Sequence, residues 1–524
     1  MKINNIVIVG GGSSGWISAA FLAKTFPQMS ISVIQSPNHP IIGVGESTIL
    51  DIVGLRDYLE IDEKEFMRST DASYKMSIKF TDFYKEDSGG FHYPFRTPDI
   101  SNTTYGLSDW LEIKALYPET KNTDFAESYF PAAQLFNRNK FTKNPQGAFG
   151  NWNPSTDVVY HFDAVKFGIW LRDEYCKPRG VNVITDYVTE VVTGEDGVEK
   201  LILGSGKYIT ADIYIDCTGF KSLLLEGALK EPFEDYSHLI PNNRAWATQL
   251  PYVNKELELE PFTNCTAIDN GWCWNIPLWS RIGTGYVYND NYITPEQAKE
   301  EFREYLMSSK IVVPRSKKQI DTLEFKDIQM KIGIHSRTFV KNVVAIGLSA
   351  GFIEPLESNG LFTVHAFIAK LAKILLRGEI NQFDRDVYNT ATRGVFDNFA
   401  EFVSLHYALS LRSSSKYWKD ISTKVFDDNM IKLKPTTKVG FFDLQNRKMF
   451  SHALDPDFGI TYISVGMNYP VFDRVDQAQF RDKIILKEYV DSVKQIFEYK
   501  KLQWKTAALS CPSLYEYLRT HVHN

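Results

Sequence analysis

Several short stretches of this chain carry residues whose types and spacing could do chemistry. Gly10, Gly12 and Gly15 are spaced G-x-G-x-x-G. Missing side chains at such positions let backbone amides approach a pyrophosphate, whose charge then meets a helix N-terminus. Lys75 supplies an amine within an alternating segment. Trp272 and Trp274 put two indoles on one face of an extended stretch stopped by Pro277, which makes a rigid apolar wall. Glu354-Pro355-Leu356-Glu357-Ser358-Asn359-Gly360 places carboxylates just before an apolar helix. The backbone N–H groups of Asn359 and Gly360 at that helix start would attract an anion without any lysine. The chemistry suggested is a bound dinucleotide, a bound anion, an amine, a carboxylate and an apolar partition.

Each feature also has a plainer reading. A glycine turn can serve packing alone, a lysine on a polar strand face is ordinarily solvated, and paired tryptophans are common in a sheet core. A carboxylate before a helix is favoured by the dipole whatever its role, and Ser358 is a suitable N-cap.

The elements that must position these residues follow from periodicity. Residues 6–9 read as a strand, followed by the glycine turn, a helix bearing Trp16, Ile17, Ala20 and Phe21, and a second strand at 31–34. This is a compact βαβ unit. The acidic residue expected to bind ribose hydroxyls is replaced by Gln35, which can still accept a hydrogen bond. Over 74–83 the pattern alternates, with Tyr74, Met76, Ile78 and Phe80 on one face and Lys75, Ser77, Lys79 and Thr81 on the other, the mark of a half-buried strand. Residues 87–155, rich in Pro, Asn, Gly and aromatics, read as an irregular excursion covering a pocket. A strand pair is expected at 181–192, a strand at 207–216 ending in Cys217-Thr218-Gly219, another at 342–346, and a strongly apolar helix at 361–376. Beyond Asp384 the chain reads as helical and irregular. No repeat or low-complexity linker divides it. The expected organisation is a module over 1–410 and a mainly helical, substrate-covering module over 411–524.

Bulk composition limits the alternatives. The 524 residues are 44% hydrophobic and 14% aromatic, rich enough in rings to line a sizeable pocket. A net charge of −6 leaves no footprint for nucleic acid or an anionic membrane. The five cysteines include no CxxC pair, so neither a disulfide scaffold nor a zinc site is indicated, and a reduced, cytoplasmic setting is expected. No stretch approaches the ~20 apolar residues that span a bilayer.

Taken together, the glycine motif, Tyr74-Lys75, Trp272-x-Trp274-x-Ile276-Pro277 and Glu354-Pro355-Leu356-Glu357-Ser358-x-Gly360 resemble the flavin-dependent halogenases of the tryptophan halogenase family. The resemblance implies an α/β architecture. It is the FAD-binding, Rossmann-like (glutathione-reductase-type) flavoprotein monooxygenase fold, with an interleaved, mainly helical substrate-covering module. Residues 212–219 and 342–347 resemble the second and third flavin-contact segments, and Gly43-Val44-Gly45-Glu46-Ser47-Thr48 resembles the flavin-strap loop, with Leu50 where Pro is usual. Tyr160-His161-Phe162-Asp163-Ala164 also matches. The implied cofactor contacts are Gly10, Gly12, Ser13, Ser14, Gly15, Gln35, Gly45, Glu46, Ser47, Gly347 and Ser358.

By the same resemblance Lys75 meets hypohalous acid, Glu357 and not Glu354 is the catalytic carboxylate, and Asn359 and Gly360 hold the halide. Lys75 must be desolvated to act, which would depress its pKa; Lys79, further along the alternation, is its comparator. Family members generally carry Thr at the place of Asn359, which makes bromide or iodide candidates beside chloride. Tyr93, Phe95, Trp272, Trp274, Pro277 and Phe352 are implied tunnel and substrate residues, the indole wall keeping substrate away from the flavin. Nothing repeats the glycine motif, so FADH2 is expected from a separate NAD(P)H-dependent flavin reductase, with O2 as co-substrate. The expected substrate is an electron-rich indole or phenol. The resemblance fades after about residue 410, and 452–469 shows no recognisable tryptophan clamp, so free tryptophan is not the first expectation. A homo-oligomer is compatible with the sequence. The competing classes are a flavin monooxygenase that hydroxylates directly and a non-catalytic flavin-binding protein.

Overall fold

The computed structural model describes residues 3–37, 46–95, 108–145, 149–429, 456–468 and 484–524. It divides into two compact units, one formed by Met1–Ala72, Tyr160–Asn243 and Ile328–Ala400, the other by Ser73–Val159, Arg244–Asp327 and Glu401–Asn524.

The first unit is built on a sheet whose strands are apolar on both faces. Ile6, Val7, Ile8, Val33, Ile213, Ile215 and Val344 are all buried, as expected where helices cover a parallel sheet from both sides. Its strands run in the order Phe339–Val340, Val343–Ala345, Ile213–Asp216, Asn5–Val9, Ser30–Gln35 and Asn182–Thr185. All neighbouring pairs are parallel except the first, which is antiparallel. Val9 stands level with both Ile34 and Asp216, and Asp216 with Ala345, so the carboxyl ends finish together. In such sheets ligands bind in the crevice outside those ends. The helix Ser13–Thr25 leaves the end of Asn5–Val9 and is buried almost all round from Gly15 to Ala23.

One expected strand proves to be divided. Residues 207–216 split into Tyr208–Ile209 and Ile213–Asp216, which join different sheets. The break falls at Asp212, whose carboxylate accepts the N–H groups of Asn4 and Asn5. Residues 181–192 do hold a pair of strands, as expected, although the two join different sheets. Asn182–Thr185 closes the edge of the parallel sheet, while Val188–Gly194 pairs with Gly197–Leu203 in a small antiparallel sheet.

In the second unit, strands Arg244–Pro251, Arg281–Tyr288, Gly271–Pro277, Phe262–Ile268, Ser77–Thr81 and Gly90–Pro94 hydrogen-bond in that order. Phe262–Ile268 and Ser77–Thr81 run parallel; the other pairs are antiparallel. Cys273, Tyr286 and Tyr288 pack from this sheet onto Phe302, Tyr305 and Leu306 of the helix Pro295–Met307. The alternating stretch 74–83 is interrupted at Met76, giving Ser73–Lys75 and Ser77–Thr81. Met76 donates its N–H to the carbonyl of Pro261 and accepts from Phe95 N–H.

The excursion at 87–155 is more regular than its composition suggested. It contains the strand Gly90–Pro94 and the helices Ser108–Leu116, Asp124–Tyr129 and Ala133–Phe136. These helices are too short to declare a period, and they are held by buried aromatics such as Trp110, Phe125, Tyr129 and Phe136. Toward the C-terminus lie Lys416–Asn429, Pro456–Gly466, Ile484–Leu509 and Leu514–His521. Among the described residues, no helix is long and apolar enough to cross a membrane.

Candidate active site

In the first unit, the glycines of the opening motif divide by what a side chain would meet. A Cβ on Gly10, whose φ is +122°, would lie 2.2 Å from the carbonyl oxygen of Cys217. One on Gly15 would lie 1.9 Å from the carbonyl oxygen of Gly10, and one on Gly11 would lie 2.4 Å from Cγ of Gln35. These three serve close packing. A Cβ on Gly12 would meet nothing within 4 Å, so its bareness leaves a cradle open outside the chain. Gly12 is also the N-cap of Ser13–Thr25, with no side-chain cap and no acidic residue in the first turn. The amides at that end are left to a ligand.

Gln35 ends the neighbouring strand, and its buried Oε1 has no hydrogen-bond partner. An orphaned acceptor at this position suits a ribose hydroxyl. Ser13 donates to the carbonyl of Ala164 at 3.0 Å, and Gly347, at φ +74°, approaches Ser14 so closely that a Cβ would stand 2.3 Å from its Oγ. Asp216, placed by the sequence in a flavin-contact segment, instead ties its own loop. Its carboxylate accepts from the Thr218 N–H and hydroxyl and from the N–H groups of Leu224 and Leu225, while burial raises its pKa. The donor set and the open cradle fit a dinucleotide such as FAD.

The Glu-Ser-Asn-Gly stretch lies in the same unit. Pro355–Glu357 forms a tight turn, Ser358 adopts left-handed φ 59° and ψ 32°, and Gly360–Leu375 follows as a helix. Ser358 is therefore not the N-cap that its residue type suggested. Asn359 holds that position without a side-chain cap, and Ser358 donates its hydroxyl to Ser47 Oγ at 2.9 Å. The first turn of the helix carries no acidic residue. Glu354, Glu357, Ser358 and Asn359 are all buried, and Asn359 Oδ1 accepts no hydrogen bond. Glu354 accepts from Asn242 Nδ2 at 3.0 Å. Phe352 packs edge-on to Phe220, with centroids 5.4 Å apart.

Ser47 belongs to the short strand Glu46–Ser47, in which Glu46 pairs with Phe162 and Ser47 with His161. Glu46 is part-buried, and its Oε2 lies 3.8 Å from where a Cβ on Gly360 would stand. Burial, and then the neighbouring Asp163 carboxylate, push the Glu46 carboxyl up to about 7. Gly45, expected in the same loop, lies outside the described residues.

In the second unit, Lys75 ends the strand Ser73–Lys75 with 0% of its surface exposed, and its Nζ stands 4.7 Å from the centroid of Phe95. Ser73 anchors this strand by donating to the carbonyl of Pro277. Lys79 differs, being only part-buried, 5.6 Å from the Phe262 ring and cross-strand from His92. Burial and then the Lys79 charge hold the His92 imidazole well below its usual range.

Trp272 and Trp274 do share one face of Gly271–Pro277, with ring centroids 6.1 Å apart. Both are buried, and neither indole N–H has a partner. Trp274 lies against Gly285, where a Cβ would meet its ring at 2.1 Å. Tyr93 is surrounded by Phe95, Phe402 and Tyr462. Phe402 and Tyr462 were missed by sequence reasoning. Tyr462 also reaches Phe125 and Phe130, so the only prior signal was the richness of this region in aromatic residues.

Comparison with known proteins bears on these features. The tryptophan halogenase family matches residues 5–457 of the chain, beyond residue 410, where the resemblance in short motifs fades. A tryptophan 6-halogenase of Streptomyces toxytricini is 33% identical over 475 residues, covering 86% of this chain and 87% of the relative. A tryptophan 7-halogenase of Lentzea aerocolonigenes is 32% identical over 438 residues, covering 80% and 78%. Among solved structures, apo VirX1 matches with a TM-score of 0.88 and 33% identity over 100% of both chains.

Proposed function

The chain belongs to the tryptophan halogenase family, and from that premise we propose that it halogenates an electron-rich aromatic, of indole or phenol type, through hypohalous acid formed on the protein. Reduced FAD with O2 supplies the oxidising power that converts halide into that acid. Gly10, Gly12, Ser13, Ser14, Gly15 and Gln35 hold the dinucleotide, with Glu46, Ser47, Gly347 and Ser358 around it and Gly45 as a further contact. The backbone amides of Asn359 and Gly360 seat the halide.

Lys75 holds the electrophile by hydrogen bonding or as a haloamine, and Glu357 polarises it or takes the proton lost from the ring. Trp272, Trp274 and Pro277 partition substrate from cofactor, with Phe352 lining the path. Tyr93 and Phe95 line the substrate pocket, and residues 411–524 cover it. The tryptophan 6- and 7-halogenases similar to this chain are named for tryptophan, which favours an indole over a phenol. Asn359, standing where Thr is usual, favours bromide or iodide over chloride. A separate flavin reductase provides FADH2.

The observation that carries this reading is the complete burial of Lys75 beneath Phe95. Buried titratable groups concentrate at functional sites, and Lys79 on the adjoining strand is only part-buried. The test supplies the chain with FAD, NADH, a generic flavin reductase and a panel of indoles and phenols, with chloride, bromide and iodide in turn. Halogenated product identified by mass spectrometry is the expected outcome, greatest with bromide or iodide. Oxygenated product formed without halide would identify a monooxygenase instead.

A further inference from the structure

The helix Gly360–Leu375 opens with nothing of its own to neutralise its N-terminus, neither a side-chain cap nor an acidic residue in the first turn. A carboxyl from elsewhere in the chain lies beside its first residue. Glu46 Oε2 reaches to 3.8 Å from the Cβ position of Gly360, on a strand held to the Ser358 loop by the Ser47–Ser358 hydrogen bond. An ionised carboxylate there would occupy the positive end of the helix and repel any other anion. A neutral carboxyl would not, and could donate to the anion.

We propose that Glu46 is a proton-dependent gate for the halide, which binds at Asn359 and Gly360 only while the Glu46 carboxyl is protonated. The gate rests on the halide seat assigned above. Other titratable groups on the adjoining elements leave this role to Glu46. Asp163, which caps Ala164–Trp170 through the N–H groups of Val165 and Lys166, is an acceptor whose charge favours the protonated form of Glu46. His161 is buried on the paired strand, opposite Ser47. Glu357 precedes the helix in the tight turn, and His365, further along the helix, faces Asp51. The carboxyl's elevation to about 7 places its titration in the physiological range. The stoichiometry agrees with the gate: converting halide, O2, FADH2 and one proton yields hypohalous acid, FAD and water, so each halide consumed requires a proton.

Bromide binding to the full, FAD-loaded chain, followed by 81Br line broadening between pH 5.5 and 8.5, tests the gate. In the parent, affinity should be flat at low pH and fall about tenfold per pH unit once Glu46 ionises. Glu46→Gln should hold the low-pH affinity throughout. Asp163→Asn, which keeps a competent N-cap, should move the onset of the fall to lower pH. An unchanged pH dependence in Glu46→Gln would overturn the gate and leave the halide seat standing. Absence of saturable bromide binding at every pH would remove the seat and the gate together.

Discussion

Ser358 donates a hydrogen bond to Ser47 across 311 positions of sequence, at 2.9 Å and with both hydroxyls buried. The contact joins the loop that carries Glu357 to the strand that carries Glu46. It also explains why Ser358 adopts a left-handed conformation: the residue is turned to reach its partner and does not cap the helix behind it. Ser47→Ala should cost about 1 kcal/mol in denaturant unfolding, the ordinary worth of such a bond, and should raise the FAD dissociation constant several-fold. A variant with parent-like FAD affinity would show that the link has no part in cofactor binding.

The glycine motif offers a cleaner separation of folding from binding. At Gly12 a methyl group meets no protein atom, whereas at Gly15 it would run into the Gly10 carbonyl. Gly12→Ala should therefore fold and melt like the parent yet bind FAD at least about tenfold more weakly, a loss of ~1.4 kcal/mol. Gly15→Ala should lose stability even without cofactor. Equal FAD affinity in Gly12→Ala and the parent would mean that the cradle is not used.

How much of this was legible in the sequence depends on the range of the forces involved. The βαβ opening was readable because each strand is a short apolar run, and the glycines announce the turn by their spacing. The pairing of Trp272 with Trp274 follows from strand alternation alone. By contrast, 207–216 looks continuous, and what divides it is the membership of its two parts in different sheets, a tertiary choice local pattern does not encode. The role of Ser358 depends on a partner hundreds of residues away. The elevation of Glu46 depends on burial and on Asp163, neither of which leaves a mark on the residues around it.

The elevated Glu46 carboxyl has a stability consequence whose sign can be worked out. Its folded pKa of about 7 lies above the 4.5 of the unfolded chain, so the folded state holds its proton more tightly. That relative stabilisation is present in full below about 4.5 and is lost as pH rises toward 7. Glu46→Gln should thus match the parent at pH 4.5 and be more stable at pH 8, by about 2 kcal/mol after allowance for partial exposure. Thermal melts of both proteins at the two pH values check this. Equal stability at pH 8 would place the titration elsewhere.

The indole wall depends on Gly285, a glycine with no local mark that would single it out. Gly285 is bare where the Trp274 ring crosses it, so Gly285→Ala must displace the ring or the strand. Overpacking of this kind typically costs about 1–3 kcal/mol. The expected result is a lower melting temperature and a rise in oxygenated by-product relative to halogenated product. Unchanged stability and product ratio would mean that the wall tolerates movement.

The most direct test of the account is Lys75→Met, which fills the same buried space without the amine. Parent and variant are supplied with reduced flavin, bromide and an indole substrate, and halogenated product and flavin-dependent O2 consumption are measured side by side. Loss of halogenated product by about two orders of magnitude or more, on the scale of a positioned catalytic group, with O2 consumption retained, is the expected result. Halogenation at the parent's rate in Lys75→Met would contradict it, and would assign the chemistry to hypohalous acid escaping into solution.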